Sequence, residues 1–277
     1  MIHRLAFHAR RAGMYVVLVA IALVFVGPFL ILLSAALKPA AQAVFSFPPD
    51  IIPRPPVLTW AEEAWTAIPF LRYLLNSVLL VGVTVPLYIL VSALCAYPLA
   101  QMRFRGRSLI FFAILATMFM PGEVMLLPRF LVVSQLGMAD SYLGIILPGV
   151  LSAFGIFLLR QTFAGVPREV VDAARTDGCH ELRIFWHIML PAARPTLAIL
   201  GVFGFISVWN SFIWPMVVLK DSSLYPIALG IAYLAGITGT DVRSLAAGTV
   251  ISILPVIVFF MLMQRHVLEG MRGAVKG

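Results

Sequence analysis

Charge is what this chain has least of. Only 12% of its 277 residues are Asp, Glu, Lys or Arg, against roughly 25% in a soluble domain. Lysine is almost missing: Lys38 precedes Pro, Lys220 precedes Asp and Lys276 precedes Gly. None can end the Gly-Lys-Ser/Thr loop in which backbone N–H groups and a Lys hold nucleotide phosphates. The two cysteines, Cys95 and Cys179, form no CxxC pair, which leaves neither a disulfide framework nor a zinc ribbon. No HExxH and no GxSxG occurs, and the five histidines share no ligand spacing; His180 and His187 lie on one charged segment and are expected to be solvated or to face a partner. We expect no catalytic residue, no metal and no cofactor bound by this chain. The net charge of +8 is spread between apolar runs and not gathered in a patch, which argues against nucleic acid as a partner.

What the chain does have is apolar length. Hydrophobic residues make up 61% of it. The composition predicts an all-α integral membrane protein, because backbone groups in lipid must be satisfied within the segment. Six runs are expected to cross the bilayer: 12–37, 73–102, 108–133 with a break at Pro121-Gly122, 142–159, 195–219 and 244–264. A signal peptide is the rival for the first, and Ala41-Gln42-Ala43 resembles a cleavage site. Its apolar run is longer than the ~7–15 residues of a signal core, so we read a retained helix. The proline-rich loop 38–72 is predicted to hold a short helix near 58–68, and the loop 220–241 another near 227–235. Six spans put both termini on one side. Fourteen of the twenty Lys and Arg then share that side, so the termini and the segment 167–191 are expected in the cytoplasm. The predicted organisation is a tail, first helix and external loop over 1–72, a transmembrane domain over 73–266, and a cytoplasmic tail over 267–277.

One segment departs from this greasiness. Residues 167–191 read PREVVDAARTDGCHELRIFWHIMLP and hold seven charged residues. Pro167 suits a helix start. Asp177-Gly178 is a turn signal, and Gly takes the left-handed conformation that ends a helix. Val170, Ala173, Ala174 and Asp177 are expected on one side of a first helix. Leu182, Phe185, Trp186 and Met189 repeat at three-to-four spacing and predict an apolar stripe on a second. On periodicity alone the pair is an amphipathic hairpin lying in the membrane interface.

The spacing says more. Asp172-Ala173-Ala174, three residues, Gly178, nine residues, Ile188-x-Leu190-Pro191 resembles the cytoplasmic EAA loop of ABC importer membrane subunits, with Asp in place of the usual Glu. Trp209-Asn210-Ser211-Phe212-Ile213-Trp214-Pro215 is similar to the W-N-x-F-x-W-P stretch of the carbohydrate-uptake branch. Gln264-Arg265, Gly270 and the final Gly273-Ala274-Val275-Lys276-Gly277 are similar to the ending of its maltose-type inner subunit. The resemblance implies six transmembrane helices with a coupling-helix pair between spans 4 and 5, in a bacterial cytoplasmic (inner) membrane. It implies a second homologous permease subunit, an external solute-binding protein, and two ATP-binding cassette subunits that bind ATP and Mg. Asp172 would meet a basic group of the ATPase, Ala173 and Ala174 would allow close approach, and Gly178 would permit the turn. Ile188, Leu190 and Pro191 would seat the second helix on its own spans. The tail from Gly273 through Ala274, Val275, Lys276 and Gly277 would reach between the ATPase subunits; without the resemblance it is a short basic end.

The solute path is expected at Trp209, Asn210, Glu123 and Asn76. A buried amide in lipid costs several kcal/mol unless bonded, so Asn210 is expected to face the interior, to a sugar or to a neighbouring helix. Trp209 and Trp214 either stack on sugar or anchor at the interface, with anchoring favoured for Trp214. Glu123 follows the Pro-Gly break, where Arg129 is expected to pair with it. The rivals to sugar import are import of glycerol-3-phosphate or another polar solute, an ion-coupled carrier using Glu123, and a scaffold with no solute path.

Overall fold

The computed structural model describes residues 2–48, 50–237 and 239–274, with side chains for 11, 13–48, 50–237 and 239–264; among the described residues there is no strand. Thirteen helices follow in chain order: α1 (Ile2–Leu37), α2 (Thr59–Ala67), α3 (Phe70–Gln101), α4 (Arg107–Ala116), α5 (Leu126–Gln135), α6 (Tyr142–Val150) and α7 (Ala153–Ala164), α8 (Arg168–Thr176), α9 (Glu181–Ala192) and α10 (Arg194–Trp209), α11 (Ile213–Val218), α12 (Ile227–Gly236) and α13 (Val242–Ala274). The protein is a multi-pass helical membrane protein. Gly13–Leu37, Phe70–Gln101, Tyr142–Ala164 and Val242–Gln264 are each long and apolar enough to cross a bilayer.

The expected short helices are α2 and α12. Three of the six expected runs take a different form. In the third, Pro121-Gly122 lies between α4 and α5, each ten residues long and too short to cross alone. In the fifth, α10 ends at Trp209, so Asn210 caps the helix instead of lying inside it. A bend of 77° separates α10 from α9. The fourth run is re-nucleated midway, where Leu151 and Ser152 are extended and the Ser152 hydroxyl accepts from Gly155 N–H. Serine is a good N-cap because it satisfies an orphan backbone donor, and in lipid no water can do so.

The chain divides into two compact units. One comprises Met1–Phe70 and Ile231–Ile253. Its core is a small-residue contact of Ala35, Ala36, Ala246 and Ala247, with Leu32, Trp60 and Val250 against it. Small side chains let helices approach closely where lipid provides no hydrophobic drive. Beside this core the chain after α1 is tied by cations. Lys38 is 3% exposed and donates to the carbonyls of Ala43 (3.0 Å) and Val44 (3.2 Å). Arg243 is 9% exposed, donates to Gln42 O (2.7 Å) and Asp241 (2.8 Å), and lies over the Trp60 ring.

The second unit comprises Leu71–Gly230 and Leu254–Gly277. One of its cores packs α3 and α7 on α8–α9 through Tyr97, Leu159, Phe163, Val171, Phe185 and Met189. Another packs α5, α6 and α11 through Val133, Ile145, Ile146, Trp214 and Val218. Gly155 and Gly204 both sit against the Tyr88 ring, and a Cβ at either would press on it.

Candidate functional site

The segment 167–191 forms two helices, as its spacing predicts. Glu169 in the first turn of α8 and Arg175 in its last complement the helix dipole. Gly178 has φ +81°, the left-handed conformation expected there. Backbone bonds from Gly178 N to Arg175 O and from Cys179 N to Ala174 O, both 3.0 Å, close the helix. The packed faces differ from the expected ones. Val171, not Val170, is buried in α8, and Ile184 joins Phe185 and Met189 in α9. Val170, Leu182 and Trp186 are about half exposed or more. Adjacent apolar residues leave the phase of a nine-residue helix open, and the tertiary core chooses it. The pair is therefore apolar on two sides, one seated on its own spans and one open. Ile188 and Leu190 are partly buried and pack against the core. Pro191 is half-buried, Ala174 also, and Ala173 is exposed.

Ionic contacts fix the angle between the two helices. Arg175 Nε donates to Glu181 at 2.8 Å and Nη1 donates to Asp172 at 2.9 Å. The buried Tyr97 of α3 donates its hydroxyl to the other Glu181 oxygen. The hydrogen bond from Arg175 holds the Glu181 carboxyl below its ordinary range, with the Tyr97 bond adding to it, and Glu181 in turn raises the Arg175 guanidinium. Asp172, expected to be open to a basic partner, is already bonded to Arg175, although its side chain remains 65% exposed.

The expected solute-path residues do not converge. Asn76 donates to the carbonyls of Ser223 (2.9 Å) and Tyr225 (3.0 Å) and accepts from the Tyr142 hydroxyl (2.8 Å). Its amide fastens a loop. Trp209 is buried and stacks on Phe205 at 5.4 Å. Asn210 is exposed on this chain and its backbone N–H bonds Ile206 O, so the expectation that it faces the interior is not met within the chain. Trp214 is buried, donates to Gly144 O at 3.2 Å and carries the Arg129 guanidinium 4.3 Å above its ring. It is a core residue and not an interfacial anchor, because the α5–α6–α11 packing encloses it. Glu123 is exposed and, among the described residues, makes no ion pair; Arg129 packs on Trp214 instead.

A cavity of about 270 Å³ does gather polar groups, between Thr84 and Tyr88 of α3, Ser152, and Phe203 and Ser207 of α10. Thr84 is 3% exposed and, among the described residues, its hydroxyl has no hydrogen-bond partner. A second cavity of about 180 Å³ shares Thr84, Gly149, Ser207 and Val208 with it and extends to Ser211 and Arg129. These hydroxyls were missed because Ser and Thr in an apolar run read as ordinary span residues until the fold brings them together.

Comparison with known proteins agrees with this architecture. Residues 67–273 match the family described as binding-protein-dependent transport system inner membrane component. The arabinooligosaccharide transport system permease protein AraQ of Bacillus subtilis is 32% identical over 99% of each chain. The sn-glycerol-3-phosphate transport system permease protein UgpE of Yersinia pestis is 35% identical over 84% of this chain and 86% of its own. A crystal structure of a bacterial ABC transporter importing the acidic polysaccharide alginate superposes with a TM-score of 0.79 at 26% identity, over 92% of this chain and 96% of that one. The chain belongs to the binding-protein-dependent inner membrane component family.

For this permease the family match covers the helix pair and both cavities, and it reaches Gly273. Of the tail, Gly273 and Ala274 end α13, and Val275, Lys276 and Gly277 lie outside the described residues. The unpaired Thr84 hydroxyl and the Tyr97–Glu181 bond are the two features of the site that no motif announces. The Tyr97–Glu181 bond joins elements far apart in the sequence.

Proposed function

We propose that this permease is one of two membrane subunits of an ATP-driven importer for a sugar or sugar derivative, working by alternating access. The observation that carries the reading is the end-to-end match to an arabinooligosaccharide permease. The α8–α9 pair is the coupling element. Its open face, with Val170, Leu182 and Trp186 exposed, suits a groove on an ATPase subunit, and burial of such side chains is worth about 1.5–3 kcal/mol each. ATP and Mg belong to two partner cassette subunits, and this chain has no nucleotide chemistry of its own. A second homologous permease faces the Thr84–Ser207 cavities, and an external binding protein delivers solute to the loops 38–72 and 220–241. The positive-inside rule puts the pair and both termini in the cytoplasm of a bacterial cell. Hydroxyls and aromatic faces lining one cavity suit a sugar, whose C–H face stacks and whose hydroxyls bond.

A second reading, import of glycerol-3-phosphate, is favoured by the match to UgpE. The test is purification of the tagged complex in mild detergent, with its bands identified by mass and its ATPase activity assayed with the binding protein and a panel of solutes. An ATPase and a second permease are expected to co-purify, with ATP hydrolysis raised by a sugar-loaded binding protein. A chain that elutes alone and moves solute on an ion gradient would overturn the import reading.

A further inference from the structure

Arg129 is a charged residue that the neutral-sugar reading leaves without a role. It lies in α5, a ten-residue apolar helix, half-buried. Among the described residues it has no carboxylate partner and no hydrogen-bond acceptor is recorded for its guanidinium. One face of the guanidinium is covered by the Trp214 ring at 4.3 Å. Trp214 is itself fixed, 8% exposed and bonded to Gly144 O. Stacking on an aromatic face leaves the in-plane N–H donors of an arginine free to meet a planar or tetrahedral oxyanion two at a time. Arg129 lines the 180 Å³ cavity together with the hydroxyl-bearing residues Thr84, Ser207 and Ser211. An ionisable side chain in an apolar helix with no counter-ion among the described residues is by default a functional-site hypothesis.

We propose that Arg129, held on Trp214, is the anion-recognition element of the solute path, and that the transported solute is a small polyol bearing an acidic group, a carboxylate or a phosphate. The guanidinium takes the oxyanion through its in-plane donors. Thr84, whose buried hydroxyl lacks a partner, and Ser207 take polyol hydroxyls. This rests on the import reading above and narrows its substrate class from sugars in general to acidic ones.

The test uses the assembled complex in non-ionic detergent, so that no lipid phosphate competes, and measures binding by calorimetry. The probes are two matched pairs: galacturonate against galactose, and glycerol-3-phosphate against glycerol. At least one anion is expected to bind tenfold or more tightly than its neutral counterpart. Arg129→Gln is expected to abolish that preference and Arg129→Lys to retain part of it, because a lysine keeps the charge and loses the fork. Which anion is preferred distinguishes a uronate from a phosphate ester. The proposal is overturned if neither anion is favoured by the unaltered complex, or if Arg129→Gln leaves the preference intact. Should Arg129→Gln fail to assemble, the unaltered and Arg129→Lys complexes still decide. Preference for the neutral sugars would remove the Arg129 site and leave sugar import standing, whereas absence of an ATPase from the complex would remove the import reading itself.

Discussion

After α1, Lys38 and Arg243 are buried and donate to main-chain carbonyls. In the α8–α9 pair, Arg175 is 34% exposed and binds the carboxylates of Asp172 and Glu181. The two arrangements differ in what can undo them. A backbone carbonyl cannot be protonated at any ordinary pH and stays where its chain stays, so Lys38 and Arg243 fix a loop, although Arg243 also pairs with the Asp241 carboxylate. A half-exposed carboxylate can be taken by a partner's base or by a proton, so Arg175 holds two helices at an angle that a partner can change. One region is fastened, and the other is braced but adjustable.

Removing the fastening should have the largest effect. Arg243→Met leaves the Gln42 carbonyl and the Asp241 carboxylate without their donor and is expected to cost on the order of 3 kcal/mol, read as a lower Tm of the purified complex. The Asp172→Asn change, which removes an exposed ionic partner of Arg175, is expected to stay under about 1 kcal/mol; equal losses from the two would erase the contrast. The turn comes next. Gly178→Val must hold a β-branched residue at φ +81°, at a cost of about 1–2 kcal/mol, and is expected to release the ATPase. Gly165→Ala, at φ −75°, should leave assembly unchanged.

The smallest effect is the pH response of the brace. The Glu181 carboxyl is lowered in the folded protein by the Arg175 hydrogen bond. Its contribution is therefore complete above the unfolded value of about 4.3 and is lost as pH falls through the folded value. Exposure limits the contribution to under about 1 kcal/mol. Glu181→Gln is expected to lower the Tm slightly at pH 7, with the gap closing below about pH 4. A gap that persists at low pH would show that Glu181 acts by packing and not by charge.

Much of the coupling segment was legible in the sequence. Its charges, its Pro and Gly punctuation and its fixed spacing are local, and they gave both helices and the left-handed Gly178. The phase of the pair was not legible: Val170 and Val171 are equally apolar, and only contact with Leu159 and Phe163 decides which is buried. Asn76 illustrates the same limit from the polar side. An amide in a span reads as a functional group, yet its partners, at Tyr142, Ser223 and Tyr225, lie far along the chain and consume its bonding capacity. Arg129 was assigned Glu123 by proximity in sequence, and Trp214 took it instead.

By itself the sequence determined that the chain is helical and membrane-embedded and where α2, α8, α9 and α12 fall. These follow from composition, periodicity and the identity of single residues, none of which depends on distant partners. Only the tertiary structure decided where apolar runs break, which face of each helix is covered, and which polar side chains keep a free hydrogen-bonding atom. Those outcomes are set by contacts between different helices, whose pairing no local pattern encodes.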